Sequence, residues 1–260
     1  MRDKIQTALK SSKADYTEIR LEETETTTVA YRGRDLETVS AAIDMGGIVR
    51  CLVKEGGWGI ATFNDRSDLL ARVEQAYECA RLSKSEEPIE LAPIPVSEDR
   101  IAVSLAHDFR AVPLADKQAL VEAYNQILLG HSDRIVDTQS RYDDRFSRVF
   151  FANSEGTFIE EERPMVTLRF MAVARDGDNV QTGLEGRSGQ RGFDFVQGCQ
   201  DLAETAAQRA VDLLQAETVI GGRYPVVLNR RLAGVFIHEA FGHLSESDFV
   251  YENPKAQEMM

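Results

Sequence analysis

From Tyr16 to Phe63 the chain alternates apolar and polar residues, interrupted only by short turns that carry glycine. A period of two places successive side chains on opposite faces of a sheet, and turns this short join antiparallel neighbours. Tyr16 to Glu22 alternates apolar and charged residues, and Thr26 to Tyr31 is a β-branched run. Both read as strands. Arg32-Gly33-Arg34-Asp35 is expected to be a turn, Leu36 to Asp44 a strand, Met45-Gly46-Gly47 a second turn and Ile48 to Val53 another strand. Glu55-Gly56-Gly57 then turns the chain into Trp58 to Phe63. The fold class this predicts is α+β, with antiparallel meander sheets and packed helices rather than a doubly wound parallel sheet.

The helices follow from the other period. Leu69, Leu70, Val73, Ala76, Tyr77 and Ala80 form an apolar stripe at helical spacing, and Asn64-Asp65-Arg66-Ser67-Asp68 supplies N-cap candidates. Ser85-Glu86-Glu87-Pro88, followed by Pro93 and Pro95, reads as a linker. A short helix is also expected at Lys4–Lys10, and a further one runs from Pro113 through Leu129, burying Leu120, Val121, Tyr124, Ile127 and Leu128. Four strands are expected next, at Ile135–Tyr142, Arg145–Ala152, Thr157–Arg163 and Met165–Arg175, and then a mobile glycine-rich loop over Gly183–Gly192. Asp194 to Ala216 is expected to be one long helix, and Tyr224 to Leu228 a short strand. The expected organisation is a first α+β unit at 1–84, a linker at 85–112, a second α+β unit at 113–221, and the start of a further domain at 222–260.

A formal net charge of -13 opposes binding to a phosphate backbone, so direct nucleic-acid contact is not expected. No apolar run approaches the roughly 20 residues that span a bilayer, and Met1 to Gln6 lacks the apolar core of a signal peptide. The expectation is a cytoplasmic protein that makes no membrane contact. Cys51, Cys79 and Cys199 are widely spaced and odd in number, which favours free thiols, each a small buried hydrophobe.

The chemistry concentrates near the C-terminal end, in Val235-Phe236-Ile237-His238-Glu239-Ala240-Phe241-Gly242-His243-Leu244-Ser245-Glu246. Two imidazoles and a carboxylate in an apolar helical stretch are candidates for a metal centre, because neutral imidazole nitrogens suit a borderline-soft ion such as Zn²⁺. The second histidine lies five residues after the first. At roughly 100° per residue, a regular helix would set these two rings about 140° apart. A single π-type turn brings them onto one face, and Gly242 is the residue where the distortion should be easiest. The competing reading is two ordinary helix histidines. His107 and His131 lie away from the motif and read as solvated or capping residues. Glu246 could be a surface charge, a partner of a ligand or a ligand itself.

His238-Glu239-Ala240-Phe241-Gly242-His243, continued by Leu244 to Phe249, resembles the signature of the TldD/PmbA (TldD/TldE) metalloprotease family, once called modulators of DNA gyrase. Phe151 to Gly156, the glycine pairs Gly46-Gly47 and Gly56-Gly57, and Gly221 to Leu228 resemble that family in the same order. The likeness is to the motif-bearing, TldD-like subunit. It implies a zinc-dependent protease of peptides or unfolded proteins, with His238 and His243 as metal ligands. It also implies that metal-bound water attacks and that Glu239 is the general base. A motif-less sister subunit of the TldE/PmbA kind is the implied partner. Family members run on into a C-terminal domain whose cysteine is the third ligand, so that ligand is expected beyond residue 260 and the site in this chain is expected to be incomplete. In a chain of this length Phe236, Ile237, Phe241 and Phe249 are expected to be exposed. The alternative to the enzyme reading is a non-catalytic interaction or regulatory protein of the gyrase-modulator type, or an inactive fragment.

Overall fold

The computed structural model describes residues 1–65, 68–83 and 88–259. Of the expected N-cap and linker residues, Arg66, Ser67, Ser85, Glu86 and Glu87 lie outside the described residues. Residues 1–216 form one compact unit and residues 217–260 a second.

The first unit is built on one seven-stranded sheet. Helix α1 (Arg2–Lys10) precedes β1 (Tyr16–Arg32), β2 (Asp35–Leu52) and β3 (Trp58–Phe63), and α2 (Leu69–Leu82) follows them. Strand β4 (Glu98–Ile101), helix α3 (Leu114–Gly130), strands β5 (Ile135–Asn153), β6 (Phe158–Asp176) and β7 (Asn179–Gly189), and helix α4 (Gln200–Leu213) complete it. The sheet order is β3-β2-β1-β5-β6-β4, with β7 also on β6. Among the described residues every pairing is antiparallel except the four-residue parallel contact of β4 with β6. The α+β class with antiparallel sheets is thus the observed one.

Several expected breaks are absent. Met45-Gly46-Gly47 is not a turn, because β2 runs straight through it and Gly46 and Gly47 pair with Glu22 and Leu21. The glycine is needed there for space: a Cβ on Gly47 would lie 2.1 Å from Cζ of Phe63. Likewise the four strands expected between Ile135 and Arg175 are two, β5 and β6. Pro164, which falls between two of the expected strands, sits where β6 pairs only with β5, between the stretches joined to β4 and β7. Proline is tolerated at such an open edge because no ladder donor is missing. The stretch expected as a mobile loop, Gly183–Gly192, is largely strand β7. Helix α4 lies directly on it, since a Cβ at Gly183 would come 2.0 Å from the Ala206 carbonyl oxygen.

The expected long helix from Asp194 to Ala216 is shorter. Phe193–Val196 forms a 3₁₀ turn whose Phe193 and Val196 enter the core, and α4 starts only at Gln200. The expected linker, 85–112, supplies both β4 and the fully buried Phe109.

The core lies on one face of the sheet. Ile19, Leu21 and Val29 are odd-numbered on β1, so all three point to the same side. Ile19 and Leu21 pack with α1, α2, Val49 and Phe150 at one end, while Val29 packs with α3, α4, Tyr142 and Phe170 at the other. Two apolar clusters thus share one sheet, and β1 pairs with β5 along its length to join them. Cys51 and Cys199 are buried as expected of small hydrophobes, whereas Cys79 is exposed; all three are free thiols. Among the described residues no helix is long and apolar enough to cross a membrane.

Candidate metal centre

The second unit contains α5 (Arg230–Ile237), α6 (Ser247–Glu252) and α7 (Pro254–Met259). Residues 224–228, expected as a strand, have no sheet partner among the described residues, and Val227 is fully exposed. Asn229 starts α5 as a side-chain cap, its Oδ1 accepting from the Leu232 N–H at 2.9 Å. Such a cap satisfies a donor that the first turn leaves open.

After Ile237 the helix widens. His238–Gly242 is a π-turn, and the His243 N–H donates to the His238 carbonyl, an i→i+5 bond that ties the two histidines together. This is the distortion the spacing requires, and it brings the rings to 4.4 Å between centroids at an interplanar angle of 67°. One donor atom each from His238, Glu239 and His243 lies within 4.8 Å of the others. Gly242 has ordinary right-handed helical angles, φ -56° and ψ -54°, and a Cβ there would meet nothing closer than 3.5 Å. The π-turn therefore does not draw on the freedom of glycine that was expected to ease it.

Glu246 resolves among its three readings. Its Oε1 lies 2.5 Å from His243 Nδ1, which leaves His243 Nε2 directed elsewhere, 3.9 Å from Glu239 Oε2. A carboxylate on one ring nitrogen fixes the tautomer and frees the other nitrogen's lone pair for an ion. The hydrogen bond to Glu246, and then its charge, hold the His243 imidazolium above its ordinary pKa of 6.5. In the metal-free chain, an NMR titration should find His243 changing charge above that value. Glu246→Gln should bring it down, because the amide keeps the contact without the negative charge. An unchanged midpoint in that variant would remove Glu246 as the cause.

Val235, Phe236, Ile237 and Phe241 are 51–58% exposed, and Phe249 is 40% exposed. The apolar side of the motif segment is thus exposed. His107 is exposed and edge-on to Phe193. His131 caps α3, with Nε2 3.1 Å from Gln208 Oε1. Among the described residues the cluster consists of His238, Glu239 and His243.

The sequence reading missed a second polar centre. Lys117 and Asp144 are 3% and 5% exposed, with Nζ and Oδ2 2.5 Å apart. Tyr142 donates to the same oxygen at 2.6 Å, and Lys117 also donates to Thr27 Oγ1 at 3.2 Å. The signal for it was helical spacing: Lys117, Val121, Tyr124, Asn125 and Leu128 share the buried stripe of α3.

The sequence matches the PmbA/TldA metallopeptidase domain 1 over residues 17–80 and the PmbA/TldA metallopeptidase central domain over residues 107–214. A metalloprotease of Synechocystis sp. is 45% identical over 250 residues, which is 96% of this chain and 54% of that protein. A metalloprotease of Methanocaldococcus jannaschii is 32% identical over 245 residues, 92% of this chain and 53% of that protein. The chain thus spans about half the length of these relatives. A solved structure from Bacteroides thetaiotaomicron, described as a proposed modulator of DNA gyrase, superposes with a TM-score of 0.80 at 18% identity. That match covers 94% of this chain and 56% of the other, and it supports the fold. On its matched domains and its curated relatives, the chain belongs to the PmbA/TldD metallopeptidase family.

Proposed function

We propose that this chain is the motif-bearing part of a zinc-dependent metallopeptidase that acts on peptides or unfolded proteins. The observation that carries the reading is the π-turn, which gathers His238, Glu239 and His243 while Glu246 orients His243. The residues fit the ion: two imidazoles are donors that suit zinc, and bonds of about 2.0–2.1 Å place two tetrahedral ligands roughly 3.3 Å apart, against donor atoms that lie within 4.8 Å of one another in the cluster. His238 and His243, the latter through Nε2, are the proposed ligands. The third protein ligand is assigned to the part of the relatives' length that this chain does not span.

When bound, zinc supplies a Lewis acid that polarises a peptide carbonyl and makes water easier to deprotonate. Glu239 accepts the proton of the attacking water at a carboxylate oxygen and returns it to the departing amine nitrogen. Its side chain is 64% exposed, so substrate can approach it without displacing the fold. The proposed partner is a motif-less sister subunit.

With two imidazoles only, this chain should bind zinc weakly, and a chain of the relatives' full length should bind one equivalent. His238→Ala or His243→Ala in the longer chain should lower zinc affinity by more than about 100-fold, the upper end for losing a mere supporting contact. Metal analysis after dialysis checks this. Full zinc content in both variants would end the metal-site reading, and zinc binding without hydrolysis would leave the non-catalytic alternative.

A further inference from the structure

Strand β2 pairs with β1 over its whole length, but β3 covers its other edge only from Gly47 to Leu52. Among the described residues, positions 35–46 therefore present an open strand edge. The Met45 N–H donates to Asp44 Oδ1 at 2.8 Å, so the odd-numbered amides of this stretch face away from β1. An unpaired row of alternating donors and acceptors is complementary to another extended backbone.

The same stretch alternates in side-chain character. Val39, Ala41 and Ile43 fall on the sheet face that carries the core yet are exposed there, Ile43 at 82%, whereas Met45 beside them packs against the cluster at the α1–α2 end. The two apolar clusters pack at either end of this face. Between them lies a groove of 360 Å³ lined by Ile43 and Ala41 of β2, Val112 and Leu114 before and in α3, and Lys117 and Asp144 at its base. A strand edge supplies affinity through main-chain bonds, and a pocket beside it selects side chains.

Charge narrows the occupant. From Asp35 to Gly46 the strand carries Asp35, Glu37 and Asp44 with no lysine or arginine, and Glu25 lines the groove. The cations nearby are already engaged, Arg110 by Asp108 and Lys117 by Asp144. A second copy of the chain pairing edge to edge would set these acids against themselves. An extended segment bearing lysine or arginine would not.

We propose that the open edge of β2 docks an extended, basic stretch of polypeptide, which joins the sheet as an added strand and seats an apolar side chain in the groove beside Ile43. The proposal rests on the metallopeptidase reading for its role, as a holding surface for unfolded substrate, but not for its chemistry.

The test uses the intact 260-residue chain and a fluorescein-labelled peptide of about ten alternating valine and lysine residues, long enough to match the open edge. Anisotropy should show saturable binding. Hydrogen exchange should slow at the amides of Val39, Ala41 and Ile43. Ile43→Asp, at a position exposed enough to leave melting unchanged, should weaken binding at least tenfold. Ala41→Pro, which removes an outward donor, should do the same, and a valine–glutamate peptide should bind at least tenfold more weakly. Absence of saturable binding, equal affinity in both variants, or dimers of the wild-type chain that Ala41→Pro dissolves would each overturn the proposal. No step of the assay involves metal or hydrolysis, so its failure would leave the metal site standing, and loss of the metal reading would leave peptide binding intact.

Discussion

Glu239→Gln in a chain of the relatives' full length is expected to retain its zinc and lose peptide hydrolysis by about 10²–10⁴-fold, the span that a positioned general base contributes. The amide has nearly the shape of the carboxylate but no site that takes a proton at neutral pH. Glu239 follows His238 directly in the π-turn, yet its Oε2 is 3.9 Å from His243 Nε2. We propose that it acts there as the base, although its place in the cluster would also suit a ligand. Measuring kcat beside zinc content separates the two roles. Activity within tenfold of wild type would remove Glu239 as the base, and loss of zinc in step with activity would make it a ligand.

Lys117→Met is expected to destabilise the first unit by about 3–5 kcal/mol, the range for stripping one partner from a buried ion pair. Among the described residues, Asp144 would then be buried with the Tyr142 hydroxyl as its remaining side-chain donor. Burial first, and then the charge of Asp144, push the Tyr142 hydroxyl far above its ordinary pKa, so it remains a neutral donor. Replacing both partners, Lys117→Met with Asp144→Leu, should recover most of the loss because no charge is left stranded. Urea unfolding of the single and double variants checks this. A single-variant effect under about 1 kcal/mol, the level of an exposed pair, would mean that solvent reaches the site.

The local shape of the candidate metal site was legible because the argument needed only arithmetic along one helix. A spacing of five residues calls for a π-turn, and the His243 N–H to His238 carbonyl bond supplies it. The part played by Glu246 was among the readings left open, since rotamers rather than spacing decide which side of His243 it meets. In the sheet, strand identity was legible and strand length was not. Gly46-Gly47 and Pro164 carry the composition of turns, but close approach of Phe63 explains the first and an unpaired edge the second. Pairings between distant segments leave no periodic trace. Nothing near Tyr16 or Ile135 announces that β1 and β5 are neighbours. Lys117 could be placed on a buried stripe by its period, but its partner Asp144 lies 27 residues away on another element.

That pairing of β1 with β5 sets an order of events on the ribosome. Glu18 is matched with Asn153, so β1 is synthesised well before its central neighbour exists. At roughly 5–20 residues per second, the nascent hairpin of β1 and β2 waits on the order of ten seconds with one flank bare. Loop closure over so many residues makes the joining step slow even once β5 has emerged. A chain that ended between residues 88 and 134 would therefore lack the strand that covers one flank of β1. Until β5 emerges, that bare strand flank is the part of the nascent sheet open to chaperones and to pairing with other chains.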